Sequence, residues 1–261
     1  MRLPTKSIQA VLSTLGVIGG LWIGCYTTIY AQPGISAQAQ SSPTLFSSAT
    51  SGGPPEPWRV VGLPGGHKPL TRFDIVPVDG QQVLRVQTDR SYANLVHDLN
   101  HAAPTPTAKL HWRWRLDQPL LQADLRQRGT DDSPLKVCLL FDMPLENIGF
   151  IDRQLLIAAR SKTTERLSAA ILCYVWDHAL PAGTLLNNAY TSRIRMIVMD
   201  SGEERLGQWV THRRDIAADF RSAFGKESAT VPPLEAVLVG ADADNTAGTS
   251  IGYVGDITVL P

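Results

Sequence analysis

The heptapeptide Leu-His-Trp-Arg-Trp-Arg-Leu at residues 110–116 alternates strictly between apolar and polar side chains. Because successive side chains of a β-strand point to opposite faces, this stretch predicts a strand with one apolar face and one basic face. The apolar face carries Leu110, Trp112, Trp114 and Leu116. Two indoles on one face bury a large apolar area, so we expect this face at the centre of a core. The basic face either meets water or lines a site.

Short stretches of strand character recur along the rest of the chain, separated by turn signals. Residues 72–78 and 82–87 predict a hairpin, because Asp79-Gly80 between them supplies the positive φ angles of a type I′ turn. Further strands are predicted at 92–99, 136–142, 169–176, 192–200, 206–212, 234–241 and 251–260. Many short strands with few helices indicate an all-β fold, a two-layer antiparallel β-sandwich.

Two segments depart from the strand pattern and predict one or two short helices. Residues 147–160 show apolar residues at helical spacing, with Asn147 at the N-cap position. This helix either packs on the edge of the sandwich or touches a membrane or a partner. A second helix is predicted between Asp215 as its N-cap and Gly225 as its stop.

The N-terminal residues predict two segments ahead of the domain. Arg2 and Lys6 form a positive n-region and residues 8–30 carry no charge, which is typical of a secretory signal peptide or a retained membrane anchor. We assign residues 1–39 to this segment, and Cys25 leaves a lipid anchor as a further option. Residues 40–57, rich in Ser, Gly and Pro, predict a spacer. We expect the domain over residues 58–261, in the periplasm or secreted, with membrane contact only through the N-terminal segment.

Composition excludes one class of partner. The formal net charge is +0, with 24 basic and 24 acidic residues. Nucleic-acid binding proteins usually carry a basic excess, so nucleic acid is not expected as a partner. The apolar content of 43% is typical of a globular protein with a substantial core.

Cys138 and Cys173 each lie inside a predicted apolar strand. Outside the cytoplasm such a pair can form a disulfide, and the alternative is two inert buried thiols. Neither cysteine has the spacing of a zinc site.

Five short motifs follow one another along the chain. They are Trp112-Arg113-Trp114-Arg115, Tyr174-Val175-Trp176, Ser192-Arg193-Ile194-Arg195-Met196, Leu206-Gly207-Gln208-Trp209-Val210 and Asp242-Ala243-Asp244-Asn245-Thr246. In this order they resemble an exported bacterial family known only as a domain of unknown function, from about residue 58 to the C-terminus. The resemblance implies export and the fold, and no catalytic residues. The pattern at 242–259 is also similar to the last strands of galactose-binding-like and carbohydrate-binding jelly rolls, which implies a jelly-roll sandwich.

Arginines supply the first candidate site. Arg113 and Arg115 on one strand, with Arg193 and Arg195 on another, would form a guanidinium stripe if the two strands belong to one sheet. The planar guanidinium suits a carboxylate, phosphate or sulfate ligand. The alternative is a solvated sheet face, or arginines paired with aspartates in a structural network.

Acidic residues and aromatic residues supply two further candidate sites. Asp242, Asp244 and Asn245, with Asp256, offer oxygen ligands for a structural calcium ion, although Asp and Asn also simply form turns. Trp176, Tyr190 and Trp209 are residues of the kind that stacks on sugar rings, and the alternative is that they belong to the core.

Nothing selects a catalytic pair among the carboxylates, and no hydrolase or phosphate-loop motif occurs in the sequence. We therefore expect an exported, non-catalytic domain that binds a carbohydrate or another cell-envelope ligand. The predicted ligand-binding residues are Arg113, Arg115, Trp176, Tyr190, Arg195, Asp242 and Asp244. One alternative is an envelope glycan hydrolase or lyase that uses Asp242 or Asp244. Another is a structural envelope protein that docks a partner through the helix at 147–160.

Overall fold

The Trp-rich stretch forms the strand β5 (Lys109–Gln118), and its two faces differ as the alternation predicts. Leu110, Trp112, Trp114 and Leu116 expose 1% or less of their surface. The histidine and the two arginines between them are only partly buried. The apolar face therefore belongs to the core, as expected.

The computed structural model describes residues 42–63, 66–163 and 165–260. The predicted signal or anchor at 1–39 lies outside these residues. Within them, no helix is both long and apolar enough to cross a bilayer.

Two sheets make up the described part of the chain. The seven-stranded sheet consists, in spatial order, of β1 (Arg59–Val61), β4 (Tyr92–Ala102), β11 (Leu234–Asp242), β6 (Ser133–Phe141), β7 (Ala170–Asp177), β9 (Ile194–Ser201) and β8 (Leu185–Asn187). The six-stranded sheet consists of β10 (Val210–Asp215), β5, β12 (Thr249–Val254), β3 (Gln81–Asp89) and β2 (Arg72–Val78), with β13 (Thr258–Leu260) also paired to β5. The prediction of a two-layer jelly-roll β-sandwich is confirmed.

One pair departs from the antiparallel pattern among the described strands, because β7 and β9 run parallel. After β7 the chain forms β8 at the edge of the sheet and then returns as β9 between the two. The predicted hairpin is present as β2 and β3, and Asp79 and Gly80 have φ angles of 50° and 75°.

A buried hydrogen-bond network joins the two sheets beside the indoles. Trp114 Nε1 donates to Asp200 Oδ2 over 2.7 Å, and His212 Nε2 lies 2.7 Å from the same oxygen. Burial alone would raise the pKa of Asp200, but the hydrogen bonds from His212 and Trp114 outweigh it and hold the pKa below its ordinary value. The carboxylate is therefore buried as a charge with its donors in place.

Both predicted helices are present, and one of them begins later than the sequence predicts. α2 (Ile216–Phe224) begins after Asp215, whose side chain accepts a hydrogen bond from Ala218 N over 2.9 Å. α1 (Phe150–Arg160) begins two residues later than predicted. Asn147 is not its N-cap but ends a short 3-10 turn over Leu145–Asn147, and Gly149 precedes the helix without a side-chain cap.

The predicted spacer at 40–57 is wrong for its described part, because residues 42–57 pack on the domain. A 3-10 turn at Phe46–Ser48 buries Phe46 completely, 4.9 Å from the ring of Trp58. Trp58 Nε1 donates to Thr44 O over 2.8 Å, and Thr44 N donates to His97 Nε2 over 3.1 Å. Phe46 and the hydrogen bonds of Thr44 anchor a segment whose average composition is that of a linker.

We expect Trp114→Phe to lower the free energy of unfolding by about 1–3 kcal/mol, because the buried Asp200 carboxylate loses a donor. Trp209→Phe is the matched control, since Trp209 Nε1 donates to Asp79 over 3.0 Å at the surface, and we expect it to cost less than about 1 kcal/mol. Urea unfolding measures both. Equal losses would show that the buried hydrogen bond is not the stabilising feature.

Candidate functional site

A cleft of about 930 Å³ lies on the face of the seven-stranded sheet that points away from the core. Its size is within the range of ligand-binding clefts in proteins, roughly 300–1,000 Å³. The strands β4, β11, β6, β7 and β9 supply its floor, and the loops at both ends of these strands supply its walls. The cleft is therefore positioned by the most central strands of the larger sheet.

The floor of the cleft is apolar because the central strands are apolar on both faces. Residues that alternate with the core positions face outwards here. One row runs across five neighbouring strands as Val96, Leu238, Cys138, Cys173 and Met196. A second row, Ala236, Leu140, Ile171 and Ile194, runs beside it. The near-continuous apolar sequence of β6 is explained by this covering on both sides.

A disulfide between Cys138 and Cys173 lies in the middle of the floor. The two residues are paired directly across β6 and β7, with their Cα atoms 4.0 Å apart. Of the two alternatives that the sequence left open, the structure contains the bonded form. It closes a loop of 35 residues that includes α1.

A buried ion pair occupies one end of the cleft. Lys136 Nζ donates to Asp242 Oδ1 over 2.9 Å, and the backbone N–H of Ser133 donates to the same oxygen over 3.1 Å. Burial raises the pKa of Asp242, and the charge of Lys136 opposes that rise. Tyr92 packs beside the pair, with its ring 5.4 Å from Lys136 Nζ.

More carboxylates and amides surround this pair. Asp131 accepts hydrogen bonds from Asn188 Nδ2 over 3.1 Å and from Asn245 Nδ2 over 2.7 Å, and burial raises its pKa. Asp132 accepts from the backbone N–H groups of Asn245 and Thr246. This end therefore presents side-chain amides and carboxylates whose geometry is fixed by hydrogen bonds.

The opposite end of the cleft is a second polar cluster around Arg166. Arg166 Nε lies 2.5 Å from Glu235 Oε1, and Arg166 Nη2 donates to Asp142 Oδ1 over 3.2 Å. Glu235 is only 7% exposed and also accepts from Ser168 Oγ. Arg59 extends the cluster through ion pairs with Glu165 at 2.6 Å and Asp98 at 3.4 Å. Sequence reasoning missed Arg59, Arg166 and Glu235.

Three of the seven predicted ligand-binding residues line the cleft: Tyr190, Asp242 and Asp244. Tyr190 is 56% exposed at the rim, and its hydroxyl donates to Arg128 O. Asp244 Oδ2 lies 3.3 Å from Lys68 Nζ. The structure brings these residues together from distant parts of the chain.

The predicted guanidinium stripe is wrong, because its two strands belong to different sheets. Arg113 and Arg115 lie on the outer face of the six-stranded sheet, where Arg113 stacks 4.4 Å above the ring of Trp209. Arg115 binds Asp117 with two hydrogen bonds, at 2.7 and 3.1 Å. Neither arginine lines the cleft.

Arg195 and Trp176 are not in the cleft either. Arg195 and Arg193 both pair with Glu227, and the Arg195 guanidinium lies 4.1 Å above the ring of Phe224 in α2. Trp176 is 1% exposed in the core, as the alternative reading of the aromatics predicts, and its Nε1 donates to Gly202 O over 3.1 Å.

The predicted calcium ligands separate into two places. Asp242, Asp244 and Asn245 line one end of the cleft, and oxygens of Asp132, Asp242 and Asp244 lie within 4.8 Å of one another. Asp256 lies elsewhere and accepts hydrogen bonds from Ser47 N and Oγ, so its assignment to this set is wrong. Calcium binding by the remaining residues stays a prediction.

We expect Lys136→Met to destabilise the protein by about 3–5 kcal/mol at neutral pH, because it leaves the Asp242 carboxylate buried without its cation. The loss should shrink in acid. Without Lys136 the folded-state pKa of Asp242 rises further above its unfolded value of about 3.9, so stability returns as the pH falls through that raised pKa.

Urea unfolding at neutral and mildly acidic pH measures both effects of Lys136→Met. The control is the double variant Lys136→Met/Asp242→Asn, which removes both charges of the pair and should show a smaller loss with a weaker pH dependence. A loss that is the same in both variants would contradict the ion-pair explanation.

Several solved structures resemble this fold at low sequence identity. A family 11 carbohydrate-binding module of a cellulosomal cellulase from Clostridium thermocellum has a TM-score of 0.40 and 10% identity, covering 85% of this chain and 95% of the module. A CBM22 tandem domain from Paenibacillus barcinonensis Xyn10C has a TM-score of 0.39 and 12% identity, and the match covers 88% of this chain and 52% of the tandem domain. A family 12 xyloglucanase from Bacillus licheniformis has a TM-score of 0.39 and 10% identity, and the match covers 72% of this chain and 85% of the xyloglucanase.

These likenesses are too remote to carry an argument about ligands or activity. No curated protein matches the sequence. A family model matches residues 56–258, which include all five motifs and nearly the whole described domain. The chain therefore belongs to the family described as "Protein of unknown function (DUF3047)".

Proposed function

We propose that the protein is an exported, non-catalytic binding domain whose ligand, a carbohydrate or a similar polyhydroxylated component of the cell envelope, occupies the cleft. The observation that carries this proposal is the cleft itself, with an apolar floor between two polar ends. Export is part of the proposal and is supported by the uncharged N-terminal segment at 8–30.

The lining of the cleft matches the chemistry of a sugar. A pyranose ring has apolar C–H faces and a rim of hydroxyl groups. The floor around Cys138, Leu238 and Met196 offers an apolar surface for the ring faces. The amides of Asn188 and Asn245 and the carboxylates near them offer donors and acceptors for hydroxyl groups at one end. Tyr190, at the rim, is placed to contact a ring that enters the cleft.

The state of the carboxylates supports binding more than catalysis. A glycosidase needs one carboxyl group as an acid and a second as a base or nucleophile, both free to reach the substrate. Here Asp242 is engaged by Lys136, and Asp132 accepts several hydrogen bonds from Asn245 and Thr246. These partners hold the carboxylates in place as structural acceptors.

A glycan hydrolase is the second candidate, because burial raises the pKa of both Asp131 and Asp242, as a general acid requires. The measurement that separates the two is release of reducing ends from the glycans that the protein retains. Hydrolysis that disappears in Asp131→Asn or in Asp242→Asn, in a variant that circular dichroism shows to be folded, would replace the binding proposal.

We expect Tyr190→Ala to weaken glycan binding about tenfold, which corresponds to about 1.4 kcal/mol. Tyr253→Ala is the matched control, because Tyr253 lies on the six-stranded sheet, away from the cleft. A glycan array identifies the ligand, and titration calorimetry with that ligand compares the variants.

Tyr190→Phe separates ring contact from the hydroxyl's bond to Arg128 O and should retain most of the affinity. Equal losses in Tyr190→Ala and Tyr253→Ala, or a loss in Arg115→Ala, would move the site away from the cleft. Failure of the folded protein to retain any glycan would contradict the carbohydrate proposal.

A further inference from the structure

The helix α1 carries its apolar residues on the side that faces solvent. The six most outward positions, 150, 151, 154, 155, 157 and 158, hold Phe, Ile, Gln, Leu, Ile and Ala. Phe150, Ile151 and Leu155 are 68%, 73% and 64% exposed, and Ile157 is 44% exposed. We call Phe150, Ile151, Leu155 and Ile157 the apolar face of α1. A surface helix normally shows the reverse arrangement.

Polar contacts on the other side hold α1 in this orientation. Asp152 Oδ2 accepts a hydrogen bond from Ser192 Oγ and lies 3.4 Å from Arg193 Nη2. Arg160 Nε donates to Leu167 O over 2.9 Å, and Leu156 alone is buried. Rotating the helix to bury its apolar face would break these contacts and expose Leu156. The apolar face is therefore displayed by the fold and is not core surface that failed to pack.

The apolar face is too small for a stable dimer of this chain. The four side chains of the apolar face expose between 44% and 73% of their surfaces, which amounts to on the order of 400 Å² of accessible area at roughly 150–200 Å² for a large apolar side chain. A stable protein interface buries about 800 Å² on each partner. A lipid surface has no such threshold, because it accepts apolar side chains one by one.

Basic residues border the apolar face. Among the residues that the structure describes, Arg153 and Lys162 form no ion pair with a carboxylate. The one acidic residue of the helix, Asp152, lies against Arg193. Each basic residue near an anionic membrane contributes about 1 kcal/mol of attraction. The charges around the apolar face therefore favour an anionic lipid surface over a neutral one.

The chain also has a second segment suited to a membrane. Residues 8–30 carry no charge, and Tyr30 is 12 residues from Ser42, where the described structure begins. Extended chain spans at most about 3.6 Å per residue, so in a chain that keeps this segment the tether reaches no more than about 43 Å. An anchor of this kind holds the domain near the bilayer, so the apolar face meets the lipid surface at a high effective concentration.

We propose that the apolar face of α1 docks on an anionic lipid surface, in a chain that keeps residues 8–30 as its anchor. This proposal is independent of what the cleft binds. The apolar side chains enter the region below the lipid headgroups, and Arg153 and Lys162 meet the headgroup phosphates. Docking fixes one end of the sandwich against the bilayer.

The test uses the full chain in liposomes of phosphatidylcholine and phosphatidylglycerol. A fluorophore sensitive to its surroundings is attached at Leu155→Cys in a Cys25→Ser background, without reducing agent, so that the native disulfide is kept. We expect blue-shifted emission that is quenched by nitroxide groups on the lipid chains. The control label is at Thr211→Cys, on an exposed position of β10, where we expect neither effect.

Ile151→Cys is a second labelling site on the same face, and circular dichroism verifies that each labelled variant is folded. Replacing phosphatidylglycerol with phosphatidylcholine should reduce the quenching at Leu155→Cys. Equal quenching at the α1 and β10 labels would overturn the proposal. A blue shift without quenching by lipid nitroxides would also overturn it, because the apolar face would then be covered by protein.

Discussion

The contact between the two sheets at the aromatic side chains of β5 and β7 is the constraint on which the rest of the structure depends. The Trp112 ring lies 5.0 Å from Tyr174, and the Trp114 ring lies 6.1 Å from Trp176. Because side chains alternate, turning Tyr174 and Trp176 inwards turns Cys173 and Val175 outwards. The packing of the core thus decides which residues of β7 form the floor of the cleft.

Much of the fold could be predicted from sequence because its signals are local. The alternation in β5, the Asp79-Gly80 turn and the Asp215 cap of α2 each act within a few residues. The main error in the predicted fold is the spacer at 40–57, and it arises because composition is averaged over a whole segment. Two buried side chains, Pro43 and Phe46, order a segment whose other residues are typical of a linker, and composition gives single residues little weight.

The site could be predicted only in part because it is assembled by strand register. Asp242 and Tyr190 were found as residue types that suit ligands, whereas Arg166 and Glu235 were missed. Those two meet only because β11 pairs with β6 and the chain after α1 returns to the same end of the sheet. Alternation also shows which side of a strand a residue occupies but not which sheet the strand joins. For that reason Arg115 and Arg195 were placed together although β5 and β9 lie in different sheets.

The short outer strands of the larger sheet have a consequence for self-association. Both of its borders are strands of three residues, β1 and β8, so few unpaired backbone N–H and C=O groups remain for another chain to extend the sheet. On the smaller sheet, Gly52 exchanges two backbone hydrogen bonds with Ile75 of β2 and covers part of that border. On these three borders the fold limits strand addition, the pairing by which an exposed sheet edge extends into another chain, and leaves β10, a strand of six residues, as the longer border of the smaller sheet.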